Sequence, residues 1–158
     1  MLDITAAVNS LVLPAPPADQ FEPNDGAATR AVKLWGKRQR RITATLDYWN
    51  DQVDVYRVKL RRGQRVRAVL RGPRDVETTL LLWKPGTKSV EEPRAGSRHL
   101  AASATEGSIK RVVHRAAKGG WYYLEVKLST PTSARYTLRF VKTKPVKPPV
   151  AARRPGRT

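Results

Sequence analysis

The chain has no cysteine among its 158 residues. That absence excludes disulfides and thiolate chemistry, but it leaves the compartment open, because many secreted proteins also lack cysteine. Long apolar runs are absent too, and no stretch approaches the roughly 18 residues that cross a bilayer. Met1 leads directly into LDITAAVNSL, without the basic flank and apolar run of a secretory signal. We therefore predict no membrane span and find no signal peptide in this sequence.

Acidic residues are scarce, since 13 Asp and Glu stand against 31 Lys and Arg, for a net charge of +18. Such a charge predicts adhesion to polyanions such as nucleic acid, anionic cell-wall polymer or acidic lipid, without distinguishing among them. Six of the 13 acids nevertheless lie within residues 19–54, and this local enrichment needs an explanation of its own. They are Asp19, Glu22, Asp25, Asp47, Asp51 and Asp54.

Signatures of catalysis are missing. His99 and His114 have no metal-ligand spacing such as HExxH, and the chain has no GxSxG elbow, GxxxxGK[ST] loop or GxGxxG fingerprint. We predict a structural role within a strand for His114 and a surface loop position for His99. The chain is therefore predicted not to be an enzyme by itself.

Short segments with two-residue alternation fill the middle of the chain. Apolar and charged positions alternate in DVYRVKL (54–60), RVRAVLR (65–71), YYLEVKL (122–128) and YTLRF (136–140). This pattern is typical of strands with one buried face. Further strands are predicted at 41–46, 78–83, about 97–104 and 109–114, separated by turn sequences such as RRGQ and KPGT. Seven or eight short strands predict an all-β fold, an antiparallel β-sandwich or jelly-roll-like barrel.

The two ends of the chain differ from the middle. Residues 2–12 have the apolar spacing of a short helix, and 13–18 read as a stiff, Pro-rich linker. Residues 142–158 are basic and Pro-rich without apolar periodicity, so we predict a disordered tail. The predicted sandwich occupies residues 19–141.

Oxygen-bearing side chains gather in two of the acidic stretches. Glu22, Asn24 and Asp25 lie within four residues, and Asp51 and Asp54 stand where the strand 54–60 begins. Calcium takes six to eight oxygen ligands and draws them from separate segments, so a loop crossing the start of that strand would complete one calcium site. In the alternative interpretation, PNDG and WNDQ are ordinary turns whose Asp and Asn bond nearby N–H groups, or the acids pair with arginines.

A basic surface is the second candidate site. The charged positions of residues 54–71 would form a stripe that tracks a phosphate backbone, with two aromatic residues as stacking platforms. The alternative is a solvated sheet face whose charges discourage aggregation. The predicted polymer-binding residues are Arg57, Lys59, Arg65, Arg67, Trp121 and Tyr123, with Arg71 continuing the stripe.

Four segments together resemble a known family. In order they are DQFEPNDGAATRAVKL, ATLDYWNDQVDVYRVKLRRGQRV, GGWYYLEVKL and ARYTLRF. They resemble the bacterial pre-peptidase C-terminal domain, a β-sandwich attached to secreted peptidases, over about residues 19–141. The resemblance implies a non-catalytic accessory domain that assists the folding, secretion or stability of an attached peptidase, or tethers it to a substrate, an extracellular protein or a cell-surface polymer.

The same resemblance implies a metal site. In the related collagen-binding domains of bacterial collagenases, the counterpart loop and strand start hold calcium, and the matching positions here are Glu22, Asn24, Asp25, Asp51 and Asp54. This chain departs from the pattern two positions before the glutamate, where those domains have an acid and this one has Gln20. An amide oxygen ligates calcium without contributing charge.

The first residues resemble a second family. LDITAAV is similar to the closing helix of subtilisin-like serine peptidase domains, in which a D-x-x-x-A-[VL] pattern precedes a Pro-rich linker. This resemblance implies that residues 1–12 are the end of a secreted subtilisin-like serine protease whose catalytic segments and signal peptide lie upstream. The competing hypothesis is a stand-alone basic module that binds nucleic acid or another polyanion.

Overall fold

The computed structural model describes residues 17–34, 39–90, 99–103 and 107–144. Nine strands occur in the described residues, and no helix does. They are β1 (Val32–Lys33), β2 (Gln39–Asp47), β3 (Val53–Leu60), β4 (Arg65–Arg71), β5 (Thr78–Trp83), β6 (His99–Ser103), β7 (Ile109–Arg115), β8 (Gly120–Leu128) and β9 (Ser133–Lys142).

The strands form two sheets that pack face to face. The five-stranded sheet has the order β1-β3-β8-β5-β6, and the four-stranded sheet has the order β2-β9-β4-β7. Neighbouring strands are antiparallel except for β1 and β3, which pair in parallel over two residues. The predicted all-β sandwich is confirmed. The predicted count of seven or eight omitted β1, because two residues are too few to show alternation.

The predicted ends of the chain fall largely outside the described residues. This applies to the helix at 2–12, to residues 13–16 of the linker and to residues 145–158 of the tail. β9 runs to Lys142, one residue into the predicted tail. The Thr143 N–H donates to the carbonyl of Arg65 at 2.9 Å, so the chain stays attached to β4 at this point.

One apolar core fills the space between the sheets. The predicted alternation holds, because Tyr56 and Val58 of β3 face Leu70 of β4 and Phe140 of β9 across the sandwich, and all four are fully buried. β3 and β4 follow each other in sequence but belong to different sheets. The turn at residues 61–64, where Gly63 has a φ of 81°, carries the chain from one sheet to the other.

This crossing corrects the predicted basic stripe. Arg57 and Lys59 occupy the outer face of the five-stranded sheet, whereas Arg65, Arg67 and Arg71 occupy the outer face of the four-stranded sheet on the opposite side. Alternation identifies which residues of a strand share a face, but it does not identify the sheet to which the strand belongs. The residues do not form one continuous surface.

A second apolar cluster covers part of the outer face of the five-stranded sheet. It contains Val55 and Tyr123, which alternation had assigned to the solvent face. The chain at 24–34 crosses β3 and is fixed there by two backbone bonds, from Val55 N–H to the Asn24 carbonyl at 2.8 Å and from Leu34 N–H to the Arg57 carbonyl at 2.9 Å. This crossing also sets the position of the acidic residues.

The two histidines lie in different strands. His114 lies in β7, as predicted, and its ring is 5.8 Å from that of Tyr122. His99 begins β6 instead of lying in a loop, and its ring contacts Trp83 edge-on at 5.7 Å.

Among the described residues, nothing forms a helix with the length and apolarity needed to cross a membrane.

Candidate metal centre

Two segments meet at one end of the five-stranded sheet. Asp19 ties the first segment to β2, since its Oδ1 accepts from Phe21 N–H and its Oδ2 from Thr45 N–H, both at 2.8 Å. The bond from Val55 N–H to the Asn24 carbonyl then holds the loop against β3. Glu22 to Asp25 are therefore fixed over the start of that strand.

A tight turn positions the second segment. Asp47 and Asp51 exchange two backbone hydrogen bonds at 2.8 Å. The Asp47 carboxylate accepts from the Ser133 hydroxyl at 2.7 Å and from the N–H groups of Trp49 and Asn50 at 3.1 Å, and these bonds hold its pKa below the usual range. Asp19 and Asp47 thus bond backbone N–H groups, and neither was among the predicted metal ligands.

The remaining acids converge. One carboxylate oxygen from each of Glu22, Asp25 and Asp51 lies within 4.8 Å of the other two. Asp54 lies in β3, is 0% exposed, and accepts a hydrogen bond from the Tyr136 hydroxyl. The Tyr136 oxygen is in turn 2.7 Å from the Tyr56 hydroxyl. The loop and the strand start, 26 or more residues apart in sequence, contribute to one cluster.

Four oxygens of this cluster are buried without a hydrogen-bond partner among the described residues. They are Glu22 Oε1, Asn24 Oδ1, Asp51 Oδ1 and Asp54 Oδ1. A buried polar atom left unpaired costs about 1–3 kcal/mol, so such a group of oxygens calls for a positively charged or donating ligand. Because the four unpartnered atoms are all oxygens, they would ligate a hard cation such as calcium better than zinc or copper.

Burial disfavours the ionised form of these acids. It raises the pKa of Asp51 to about 7, and repulsion from Glu22 and Asp25 acts in the same direction. It raises the pKa of Asp54 to about 8, although the Tyr136 hydroxyl opposes the shift. Burial is also the main reason that the pKa of Glu22 is raised. Without a cation, the cluster retains protons near neutral pH.

Space for an ion and its water ligands is present beside the cluster. A cavity of about 170 Å³ is bordered by Glu22, Asp47, Asn50 and Asp51. Gln20, which stands where the related collagen-binding domains have an acid, is exposed. Asp25 of the cluster is exposed as well, so the centre is partly open to solvent, which suits a cation that keeps some water in its coordination shell.

The predicted polymer-binding residues divide into two groups. Arg57 and Lys59 lie over the half-buried Trp121 ring, with their cationic atoms 5.4 and 5.2 Å from its centroid. Tyr123 is only 6% exposed, because the second apolar cluster covers it, so its ring is not an open stacking platform. Arg65 and Arg67 lie on the other sheet. Polymer binding by these residues stays a prediction.

Sequence reasoning missed the two tyrosines behind the cluster. Tyr56 and Tyr136 were assigned to the core by alternation, and both are buried there. The available signal was chemical, since a buried tyrosine hydroxyl usually finds a partner, and the nearest acid to Tyr56 in sequence is Asp54. Tyr136 is 82 residues from Asp54, and no sequence pattern connects them.

The fold and the cluster define a class of protein: a β-sandwich module with an oxygen-lined candidate metal centre at one end. Among solved structures, the chain is similar to the pre-peptidase C-terminal domain of the collagenase from Bacillus anthracis, at 16% identity and a TM-score of 0.54, covering 80% of this chain and 99% of that one. The prediction of this fold from the sequence is confirmed.

A second similar structure has a different role. The chain resembles PliG of Aeromonas hydrophila, a periplasmic inhibitor of g-type lysozyme, at 10% identity and a TM-score of 0.53, covering 72% of this chain and 96% of that one. No protein-family model and no curated protein sequence matches the chain. At these identities the similarity shows the fold alone.

Proposed function

We propose that this chain is a non-catalytic accessory domain of a secreted subtilisin-like serine peptidase. The domain would function outside the cell and be stabilised by calcium. The shared fold with the pre-peptidase C-terminal domain of a collagenase supports the accessory role. The observation that carries the calcium proposal is the group of four buried, unpartnered oxygens where residues 22–25 lie over the start of β3.

Five residues would hold the ion: Glu22, Asn24, Asp25, Asp51 and Asp54. Bound calcium would offset the mutual repulsion of the carboxylates and give the unpartnered oxygens a ligand. It would also attach the first described segment of the chain to β3. Because that segment continues from the Pro-rich linker, the ion would stiffen the junction with an attached peptidase.

A melting experiment tests the metal. We expect millimolar calcium to raise the melting temperature of the purified chain by about 10 °C relative to chelator, since a ligand present at ~100 times its Kd stabilises the folded state by about 2.7 kcal/mol. Asp51→Asn and Asp54→Ala should each abolish the rise. Asp75→Asn, an exposed acid in the β4–β5 loop, is the matched control and should keep it.

Two results would refute the calcium proposal. One is a melting temperature that does not respond to calcium. The other is an equal response in wild type and in Asp51→Asn, which would place the ion elsewhere. Magnesium provides a further comparison, because its smaller ion demands near-octahedral geometry, and we expect a smaller rise from it.

The peptidase attachment has its own test. We expect the reading frame upstream of Met1 to encode a GTSMAxP-type serine motif, and the isolated chain to hydrolyse no casein. An upstream frame without a peptidase segment would contradict the accessory role and favour the second candidate, a stand-alone module for nucleic acid or another polyanion.

A further inference from the structure

The outer face of the four-stranded sheet is covered with arginine. Eight exposed arginines project from it, at positions that alternate with buried core residues. We call this surface the arginine face, and its members are Arg41, Arg65, Arg67, Arg71, Arg111, Arg115, Arg135 and Arg139. Every strand of the sheet contributes at least one.

Its composition differs from that of the chain as a whole. The chain has 11 lysines beside 20 arginines, yet no outward position on these four strands holds a lysine. Asp47 is the sole acid among these positions, and it is 5% exposed with both oxygens already hydrogen-bonded. Between the arginines lie threonines and valines. The arginine face thus has no exposed carboxylate on its own strands.

The pairing of the strands sets arginines against each other. Arg41 is directly opposite Arg139, and Arg65 is opposite Arg115. Val69 separates Arg139 from Arg111 in the same row. Like charges directly opposite each other destabilise a sheet, and a face kept only for solubility intersperses both signs. An anion bound across the rows would remove this repulsion.

Five of the arginines line a groove of about 390 Å³ whose floor includes Val69, Thr137 and Val141. The groove extends across all four strands, which is about 14 Å at ~4.8 Å per strand, and Arg67 and Arg71 are about 13 Å apart along β4. Cations spread over such distances match a chain of repeating charges rather than one small anion.

The chemistry of the groove favours oxyanions such as phosphate and does not provide for bases. Guanidinium groups form paired hydrogen bonds with phosphate and carboxylate oxygens, which lysine does not do. No outward position of the four strands, as described, holds an aromatic residue on which a base would stack. We propose that the arginine face binds a linear, flexible phosphodiester polymer without bases, of the poly(glycerol phosphate) type.

Polymer binding by the arginine face is a separate proposal from the calcium site. It rests on the proposed accessory role only for its biological setting, an anionic cell-surface polymer to which the attached peptidase would be tethered. The arginine face and the acidic cluster share no residue, so polymer binding is expected to continue in chelator and in Asp51→Asn. Failure of one proposal is therefore distinguishable from failure of the other.

The test is a titration of fluorescein-labelled poly(glycerol phosphate) with the full chain at several salt concentrations. We expect log K to fall linearly with log salt concentration. The triple variant R67Q/R111Q/R139Q should reduce the slope by about 2, at ~0.7 per lost contact, and lower the affinity at least tenfold at low salt. R67K/R111K/R139K should keep the slope but bind more weakly, because the paired hydrogen bonds are lost.

The control removes the same charge elsewhere. K84Q/K88Q/K118Q changes three exposed lysines outside the arginine face and should leave the affinity within about twofold. Circular dichroism and melting would verify that every variant is folded. Equal losses in the two glutamine variants, or no binding by wild type, would overturn the proposal. Tighter binding of duplex DNA or of polyglutamate at equal charge would overturn the assigned polymer in favour of nucleic acid or of carboxylates.

Discussion

Two groups of like-charged side chains lie on this sandwich, and they differ in how far water reaches them. The acids of the cluster extend from fully buried Asp54, through half-buried Glu22 and Asp51, to exposed Asp25. The eight arginines of the arginine face, on the other sheet, are all exposed. Burial raises the pKa values of Glu22, Asp51 and Asp54, so repulsion in the cluster is relieved by retaining protons. Arginine has no such response, since it stays charged at any ordinary pH.

The ligands that suit the two groups differ accordingly. A small cation fits buried oxygens a few ångströms apart, where its charge is least screened. A long polyanion fits exposed charges spread over more than 10 Å, where each contact is weak and many must act together. Burial thus separates a site for one ion from a surface for a polymer. Changes in pH, hydrogen bonding and surface charge can each test this comparison.

The largest change in melting temperature is expected when the pH is varied. In chelator, Asp51 and Asp54 retain protons up to about pH 7 and 8 in the folded chain, whereas they lose them near pH 4 when unfolded. The folded state therefore binds more protons than the unfolded state between these values, and stability falls as pH rises through the window. We expect the melting temperature to drop by about 10 °C from pH 5 to pH 8.

Calcium should flatten this dependence, because an ion takes the place of the protons, so the calcium-induced rise in melting temperature should be larger at pH 8 than at pH 5. The D51N/D54N variant removes the two acids whose pKa values are raised to about 7 and 8, and it serves as the control. Its melting temperature in chelator should change little over the same range. A metal-free wild type whose stability increases from pH 5 to pH 8 would contradict the interpretation.

A smaller effect is expected from Tyr136→Phe. The hydroxyl donates to Asp54, and its loss leaves a buried carboxyl group with one bond fewer. We expect the variant to be about 1.5 kcal/mol less stable, or about 6 °C lower in melting temperature, by thermal denaturation. Because the lost bond lowers the pKa of Asp54, the pH-dependent fall in stability should also extend to higher pH.

Tyr122→Phe is the matched control for that change. Its hydroxyl donates to the Lys118 carbonyl at 2.8 Å, away from the acidic cluster. The control should lose some stability without changing the pH profile or the response to calcium. Identical pH profiles in the two variants would mean that Tyr136 supports only the core.

The sequence was sufficient to predict most strands, because alternation depends on local pattern. β3, β4 and β8 lie within two residues of their predicted limits, and β9 begins three residues earlier and ends two residues later than predicted. Alternation did not reveal that β3 and β4 occupy different sheets, because it reports faces and not neighbours. Nor did it predict the burial of Tyr123, which depends on a loop that arrives from about 100 residues earlier in the chain.

The candidate centre was predicted only in outline. Residue types and the family resemblance indicated that the two acidic stretches meet, since oxygen ligands for one cation had to come from both. They named Asp51 and not Asp47 as a ligand, and in the structure Asp51 faces the cluster while Asp47 closes a turn. They gave no sign that Tyr136 donates to Asp54. That contact joins distant strands, which local spacing does not record.

The smallest effect concerns the arginine face without any polymer. Arg139 is directly opposite Arg41, so Arg139→Gln should relieve a repulsion and stabilise the chain by about 0.5 kcal/mol, or about 2 °C in melting temperature at low salt. The gain should vanish near 1 M salt, where the screening length is only about 3 Å. Arg135→Gln is the control, because Arg135 is opposite Thr45 and has no facing cation. If both variants gain equally, the gain comes from net charge alone. If only Arg139→Gln gains, the chain maintains a local repulsion that a bound polyanion would remove.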